Sequence, residues 1–318
     1  MAPHLRFIPH PRTAAIVGLP FGGGQRHRGV EHAPSRLVEG AQLIHDLERL
    51  GWKVDFCGPQ QFEELNPAHD PSVGVMKNIH HPRLVSRVTH SVSKTVGNLA
   101  AKGALTVNIG GDQSLAIGTI SSTLSKYPDA CVIYVDAHAD IHTAETTTTG
   151  MKFFTSADIH RMPLSFLMGL VPGVDGFSWV KPLLKPERLK TILKDNNIKV
   201  FDMHEVRHHG IGRVVEKALD HVNPGRYRPI HLSFDIAALD PSVAPATGIP
   251  VNEGLTFREG HYICEAINKT GLLVAMDLME INPQLAEEGS AGAQQTVEVG
   301  RSLIRAALGE SVLIRRGL

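Results

Sequence analysis

Seven short, largely apolar runs alternate with helix-period segments along this chain, and that alternation restricts its fold more than any other feature. TAAIVG (13–18), WKVDF (52–56), ALTVNIGG (104–111), ACVIYVDAHAD (130–140), IKVFDM (198–203), PIHLSFD (229–235) and LLVAMDLMEIN (272–282) read as strands. Between them, 32–51, 83–103, 114–126, 210–222, 257–271 and 291–308 carry helical periodicity. Pro34 stands near the start of the first helix, and Gly51 and Gly103 just past the ends of the first two. Near-continuous apolar strands separated by helices predict an α/β fold, a three-layer sandwich whose mostly parallel central sheet is covered on both faces. No internal repeat or linker divides residues 1–318, so one domain is expected. Residues 57–81 and TTTTG (146–150) read as loops.

Charge and cysteine usage narrow the partners. Lys+Arg and Asp+Glu each total 32, so the chain has no basic excess to neutralise a nucleic acid. Cys57, Cys131 and Cys264 lie too far apart for a disulfide framework or a zinc ribbon, which suits a reduced compartment. The N-terminus MAPHLRFIPHPR has no apolar core of a signal peptide, and no run of 18 apolar residues could span a bilayer. A cytoplasmic protein without membrane or nucleic-acid partners is expected.

In an open α/β sheet ligands bind beyond the carboxyl ends of the strands. Acids gather at four such ends here: Asp112, Asp136–Asp140, Asp235 and Glu280. In DAHAD (136–140), Asp136, His138 and Asp140 recur at every second position, so on an extended segment all three face one way. Carboxylates with an imidazole suit manganese, iron or zinc, and Asp235 from another strand end could bridge a second ion with Asp136. Ala237 follows Asp235 at the position where a second carboxylate would complete such a site. FGGG (21–24) lacks phosphate-loop spacing and reads as a turn, and the His pairs at 80–81 and 208–209 read as solvated.

GGDQSLAIG (110–118), VDAHADIHT (135–143), SFDIAALDPSVAPATGIP (233–250) and MDLMEINP (276–283), with GQRHRGVEHAP (24–34) and TFREG (256–260), resemble the arginases of the ureohydrolase superfamily across almost the whole chain. The resemblance implies an open α/β sandwich, a homotrimer, and two manganese ions that generate a hydroxide to hydrolyse arginine to ornithine and urea. Of six implied metal ligands, Asp136, His138, Asp140 and Asp235 match. Gln113 replaces a His, and Ala237 replaces an Asp. His160 matches an active-site His and Glu280 the acid that grips the guanidinium. Arg258 and Glu259 match a segment that holds the trimer together.

Other positions depart from the resemblance. His142 replaces an Asn that meets the substrate carboxylate, Arg161 replaces a Gly, and a loop whose acids read the substrate amino group is missing after FSWVKP (177–182). Each ion loses one ligand. The resulting expectation is a pseudoenzyme with no cofactor, with an active relative as its candidate partner, in which a protonated Asp or a cationic His138, His142 or Arg161 offsets the remnant carboxylates. The alternative is a manganese-dependent hydrolase of arginine or another guanidino compound, with a weak or single-ion site.

Overall fold

A computed structural model describes residues 5–38, 42–58, 60, 79–143, 158–174, 176–182, 198–285 and 291–311. Six strands, β1 (Thr13–Leu19), β2 (Lys53–Cys57), β3 (Leu105–Gly110), β4 (Cys131–Val135), β5 (Ile230–Asp235) and β6 (Leu273–Met279), form one sheet. Its order is β2-β1-β3-β6-β5-β4, and every neighbouring pair is parallel. The sequence expectation of a mostly parallel sheet is met. The carboxyl ends of β3, β6, β5 and β4 therefore lie side by side along one edge.

Helices cover both faces. On one side α3 (Pro82–Ala101), α4 (Ala116–Lys126) and α5 (Pro163–Met168) bury Leu84, Val88, Ile117, Ile120 and Phe166 with Val17 and Leu19 of β1. On the other, α1 (Ala33–Val38), α2 (Gln42–Arg49), α7 (Ile211–Val222), α8 (Phe257–Lys269) and α9 (Ala291–Ala307) pack Leu37, Leu47, Leu219, Ile263 and Leu303 on Ile16, Val107, Leu232 and Met276. Strand neighbours such as Ile16 and Val17 enter opposite clusters, as the pleat requires. α8 starts at a capping box: Thr256 Oγ1 accepts the Glu259 N–H and Glu259 Oε2 accepts the Thr256 N–H (2.8 Å).

One expected strand does not form. Residues 198–202 are irregular, and Met203–His209 is a helix, α6. The side chain of Asp202 accepts the Glu205 N–H (3.0 Å), so a local helix cap outcompetes the strand propensity of IKVF. β4 is consequently the sheet edge among the described residues, and Val132–Val135 are only partly buried. The helix expected over 32–51 is instead α1 and α2, with a short 3-10 turn (Val30–His32) before them. Of the loop expected at 57–81, Cys57 closes β2 instead and residues 59 and 61–78 lie outside the described residues, as does the loop expected at 146–150.

The strands that supply the acids are tied together by a buried polar network. Asp277 on β6 accepts from Asn108 Nδ2 of β3, Thr119 Oγ1 of α4 and His231 Nε2 of β5, each at 2.8 Å. Thr123 Oγ1 meets His231 Nδ1 at 2.7 Å. Asp277 and His231 have no exposed surface. Asp277→Ala would strand three buried groups, so unfolding in denaturant should show a loss of about 3 kcal/mol or more. A loss below about 1 kcal/mol would mean that the network contributes little.

Candidate metal centre

The register of β4 on β5 pairs Val135 with Phe234, so the next step sets Asp136 beside Asp235. Asp136, His138 and Asp235 each offer a ligand atom, all within 4.8 Å of one another. β4 ends at Val135, and the chain turns so that the Asp136 carboxylate holds the His138 backbone: Oδ1 accepts the His138 N–H (2.8 Å) and meets its Nδ1 (3.2 Å). Asp136 Oδ2 and His138 Nε2 are buried with no hydrogen-bond partner.

The pleat argument for position 237 fails for the same reason. β5 ends at Asp235, and Ile236–Ala238 is a 3-10 turn capped by the Asp235 side chain, whose Oδ1 accepts the Ala237 N–H (2.6 Å). The methyl of Ala237 is buried in that turn. Asp140 leaves the extended path too, with φ 51°, a left-handed conformation found at strained functional positions. It is buried outside the three-residue group and accepts the Tyr134 hydroxyl at Oδ2 (2.7 Å). Gln113 Nε2 donates to that same hydroxyl (2.7 Å).

A second cluster adjoins the first. Glu280 follows β6 with φ 64°. Its Oε1 accepts the Gln113 backbone N–H (2.8 Å) and meets His160 Nδ1 (3.1 Å), while Oε2 accepts Gln25 Nε2 (2.8 Å). The loop that carries Gln25 is held by Asp112, whose Oδ2 accepts the Gly24 N–H (2.7 Å). A Cβ on Gly24 would fall 2.6–2.8 Å from Ser114 and Asp112, so the glycine is needed for that close approach. Gly24 O in turn accepts the His160 N–H (3.1 Å). The FGGG segment is thus a fixed part of the site rather than a simple turn.

Electrostatics separate the two clusters. Burial, then Asp235 and Asp140, push the Asp136 carboxyl well above its usual range. Burial and Glu280 do the same to Asp235. Burial lifts Asp140 to about 6, and burial with Glu280 lifts Asp112 to about 7. Glu280 behaves oppositely. Burial would raise it, but the hydrogen bond and charge of His160, with the Gln113 and Gln25 donors, hold it below the usual range. Burial would lower His160, but its bond to Glu280 raises it above the ordinary histidine value. His160 and Glu280 therefore favour the charged pair, whereas the aspartate cluster resists ionisation without a cation beside it.

Of the expected compensating cations, the histidines do not serve. Burial, then Arg161, pushes both His138 and His142 toward the neutral form. Arg161 sits beside those two imidazoles, its carbonyl accepting the His142 N–H (3.2 Å). His80 is not simply solvated: its Nε2 accepts from Arg26 Nε (3.2 Å) and lies 3.9 Å from Asp158. His208 and His209 are exposed as expected. Arg258 is exposed at the start of α8, and Glu259 is engaged in the capping box. The stretch after FSWVKP where the substrate-reading loop is missing, residues 183–197, lies outside the described residues. Gln25 and Tyr134 were not anticipated. Tyr134 precedes Asp136 by two residues in an apolar strand, and its hydroxyl was the available signal.

A divalent cation fits this centre. Two buried ligand atoms without partners, Asp136 Oδ2 and His138 Nε2, sit in a group with Asp235, and the adjoining carboxylates resist ionisation for want of positive charge. Oxygen and imidazole donors together suit manganese, iron or zinc.

A family model described as Arginase family matches residues 12–309. An arginase of Glaciozyma antarctica is 54% identical over 325 residues, covering 96% of this chain and 90% of its own. An arginase of Schizosaccharomyces pombe is 44% identical, covering 94% and 93%. The crystal structure of a cold-adapted arginase from the psychrophilic yeast Glaciozyma antarctica matches with a TM-score of 0.74 and 49% identity, over 98% of this chain and 100% of that one. The native arginase structure from Bacillus caldovelox at pH 5.6 matches at 0.81 and 30% identity, over 95% and 99%.

These findings correct two expectations. A pseudoenzyme and the absence of a cofactor are both contradicted by relatives this similar that are named arginase, and by the convergence of Asp136, His138 and Asp235. The physical reason is that Gln113 exchanges an imidazole for an amide and Ala237 removes a carboxylate, both outside the group of Asp136, His138 and Asp235. The central carboxylates remain, buried and facing one another, and their charge still calls for a cation.

Proposed function

The chain belongs to the arginase family, and from that premise we propose that it is a manganese-dependent hydrolase that converts arginine to ornithine and urea. The observation that carries this reading is the group Asp136, His138 and Asp235 next to the Glu280–His160 pair. Asp136, His138 and Asp235, with Asp140 beside them, would hold the metal. When bound, manganese supplies Lewis acidity and a water acidic enough to act as a nucleophile near neutral pH.

The rest falls to the chain's own groups. Glu280 is a carboxylate kept ionised and oriented by three donors, and it binds the planar guanidinium through charge-assisted hydrogen bonds. Against burial, its bond to Glu280 shifts His160 toward the protonated form. With Nδ1 held by Glu280, it delivers a proton from Nε2 to the departing amine. The test is urea release from arginine by protein reloaded with manganese after chelation. Loaded protein that releases no urea would overturn the reading. Glu280→Gln keeps the shape but removes the charge, and kcat/KM for arginine should fall by about 100-fold, or nearly 3 kcal/mol. An unchanged value would remove Glu280 from substrate binding.

A second reading, a different guanidino substrate, is favoured by His142, which stands where a carboxylate-binding Asn is implied. Arginine compared with carboxylate-free guanidines decides between them. Phe257 and Tyr262, large side chains exposed on α8 around Arg258, support a homotrimer with Arg258 and Glu259 at its contact. A sedimentation mass other than three times 34.5 kDa overturns it. Three free cysteines and the lack, among the described residues, of a helix able to cross a membrane support a cytoplasmic location, which imaging of the tagged chain would check.

A further inference from the structure

We propose that Gln113 is a metal ligand through its amide oxygen, and that Tyr134 is the positioning residue that turns this oxygen toward the cation. The proposal rests on the metal-dependent reading above. Tyr134 and Ser233 each stand two residues before an acid of the centre, Asp136 and Asp235, on adjacent strands. Gln113 spans them: Nε2 donates to Tyr134 Oη (2.7 Å) and reaches Ser233 Oγ (3.4 Å). Its side chain thus contacts the residues that precede both acids by two positions on their strands, and it is 1% exposed.

Satisfiability then settles which way the amide faces. The Tyr134 hydroxyl has one proton, and it donates that proton to Asp140 Oδ2 (2.7 Å). The remaining neighbour of the phenol oxygen must be a donor, which places the amide NH₂ against Tyr134. The carbonyl oxygen is left over. Gln113 Oε1 is buried and has no hydrogen-bond partner, as are Asp136 Oδ2 and His138 Nε2 in the same centre. A buried amide oxygen without a donor is costly in isolation and well suited to a cation.

An oxygen in place of an imidazole also changes which metal the centre selects. Neutral oxygen donors suit manganese and other hard cations, whereas an imidazole raises the affinity for cobalt and zinc. Gln113 therefore biases this centre toward manganese by its donor type, not only by the number of ligands.

The test uses the full chain, freed of metal by chelation and titrated with manganese or cobalt, each followed calorimetrically, with free manganese read by electron paramagnetic resonance. Gln113→Leu removes the oxygen and Tyr134→Phe releases the amide. Each should weaken manganese binding by about 10–100-fold. Gln113→His should retain manganese binding and raise cobalt affinity relative to manganese by about 10-fold or more, a change of selectivity that loss of packing would not produce. Should Gln113→Leu fail to fold, Tyr134→Phe and Gln113→His still decide. Unchanged manganese affinity in Gln113→Leu and Tyr134→Phe, or an unchanged cobalt-to-manganese ratio in Gln113→His, overturns the inference while the proposed activity stands. A wild-type chain that binds no manganese overturns both.

Discussion

Asp235→Asn should lower urea release by about 1000-fold or more, roughly 4 kcal/mol of transition-state stabilisation, while raising the stability of the metal-free protein. The two effects have opposite signs because the same charge does two things. Asparagine keeps the Oδ1 acceptor, so the Ala237 N–H (2.6 Å) and the 3-10 turn it caps are retained. What is lost is a negative charge in a buried group that includes Asp136 and His138. With a cation present, that charge is a ligand, and the variant should bind manganese far more weakly. Without one, burial and the proximity of Glu280 and Asp140 make the ionised form unfavourable. Removing it should raise the melting temperature of chelated protein at pH 8, by about 2–4 °C for each kcal/mol gained. A variant that keeps wild-type turnover, or is less stable without metal, would show that Asp235 acts structurally.

Chelated wild-type protein should lose stability steadily as pH rises from about 5 to 8, the opposite of ordinary acid denaturation. The direction follows from linkage. Asp112 at about 7, Asp140 at about 6, and Asp136 and Asp235 well raised all exceed the unfolded value near 3.9. Each therefore contributes stability that is complete below about pH 4 and is lost as pH climbs through its folded value. Asp112 alone accounts for on the order of 3 kcal/mol between pH 5 and 8. His160, also raised, adds a loss of the same sign. Glu280 is depressed, so its contribution is present above about pH 4.5 and fails only at lower pH, outside this window. Manganese should flatten the slope by replacing the protons on Asp136, Asp140 and Asp235. A residual slope should remain from Asp112, which is occupied by Gly24 and Ser114. Thermal melts across this range, with and without manganese, measure it. A metal-free melting temperature that is flat or rises toward pH 8 would contradict the whole electrostatic account.

Much of the site was legible before any coordinates. Asp136, His138, Asp235 and Glu280 follow apolar strands, and a parallel sheet brings their carboxyl ends to one edge whatever the loops do. His160 follows no strand and was reached only through the resemblance, yet its Nδ1 lies 3.1 Å from Glu280. Residues 198–203 were misread because strand propensity is easily overridden, here by the cap at Asp202. Gln113 and Ala237 do not forecast the loss of the metal, because a count of ligands treats every donor as equal. The buried carboxylates at the centre carry the electrostatic demand, and the peripheral donors only add to it.

Sequence alone determined the α/β layering, the parallel sheet and the strand ends from which acids would emerge. Those depend on the period of apolar residues, which is a local property. Tertiary structure alone decided that Asp140 and Glu280 take left-handed backbone, that Gln25 and His160 both close on Glu280, and that Tyr134 joins Asp140 to Gln113. Such contacts join residues from separate strand ends and loops, and only packing fixes which donor reaches which acceptor. The ionisation of the site follows from those pairings, since Glu280, bonded to an imidazole, favours its charged form, and buried carboxylates facing other carboxylates do not.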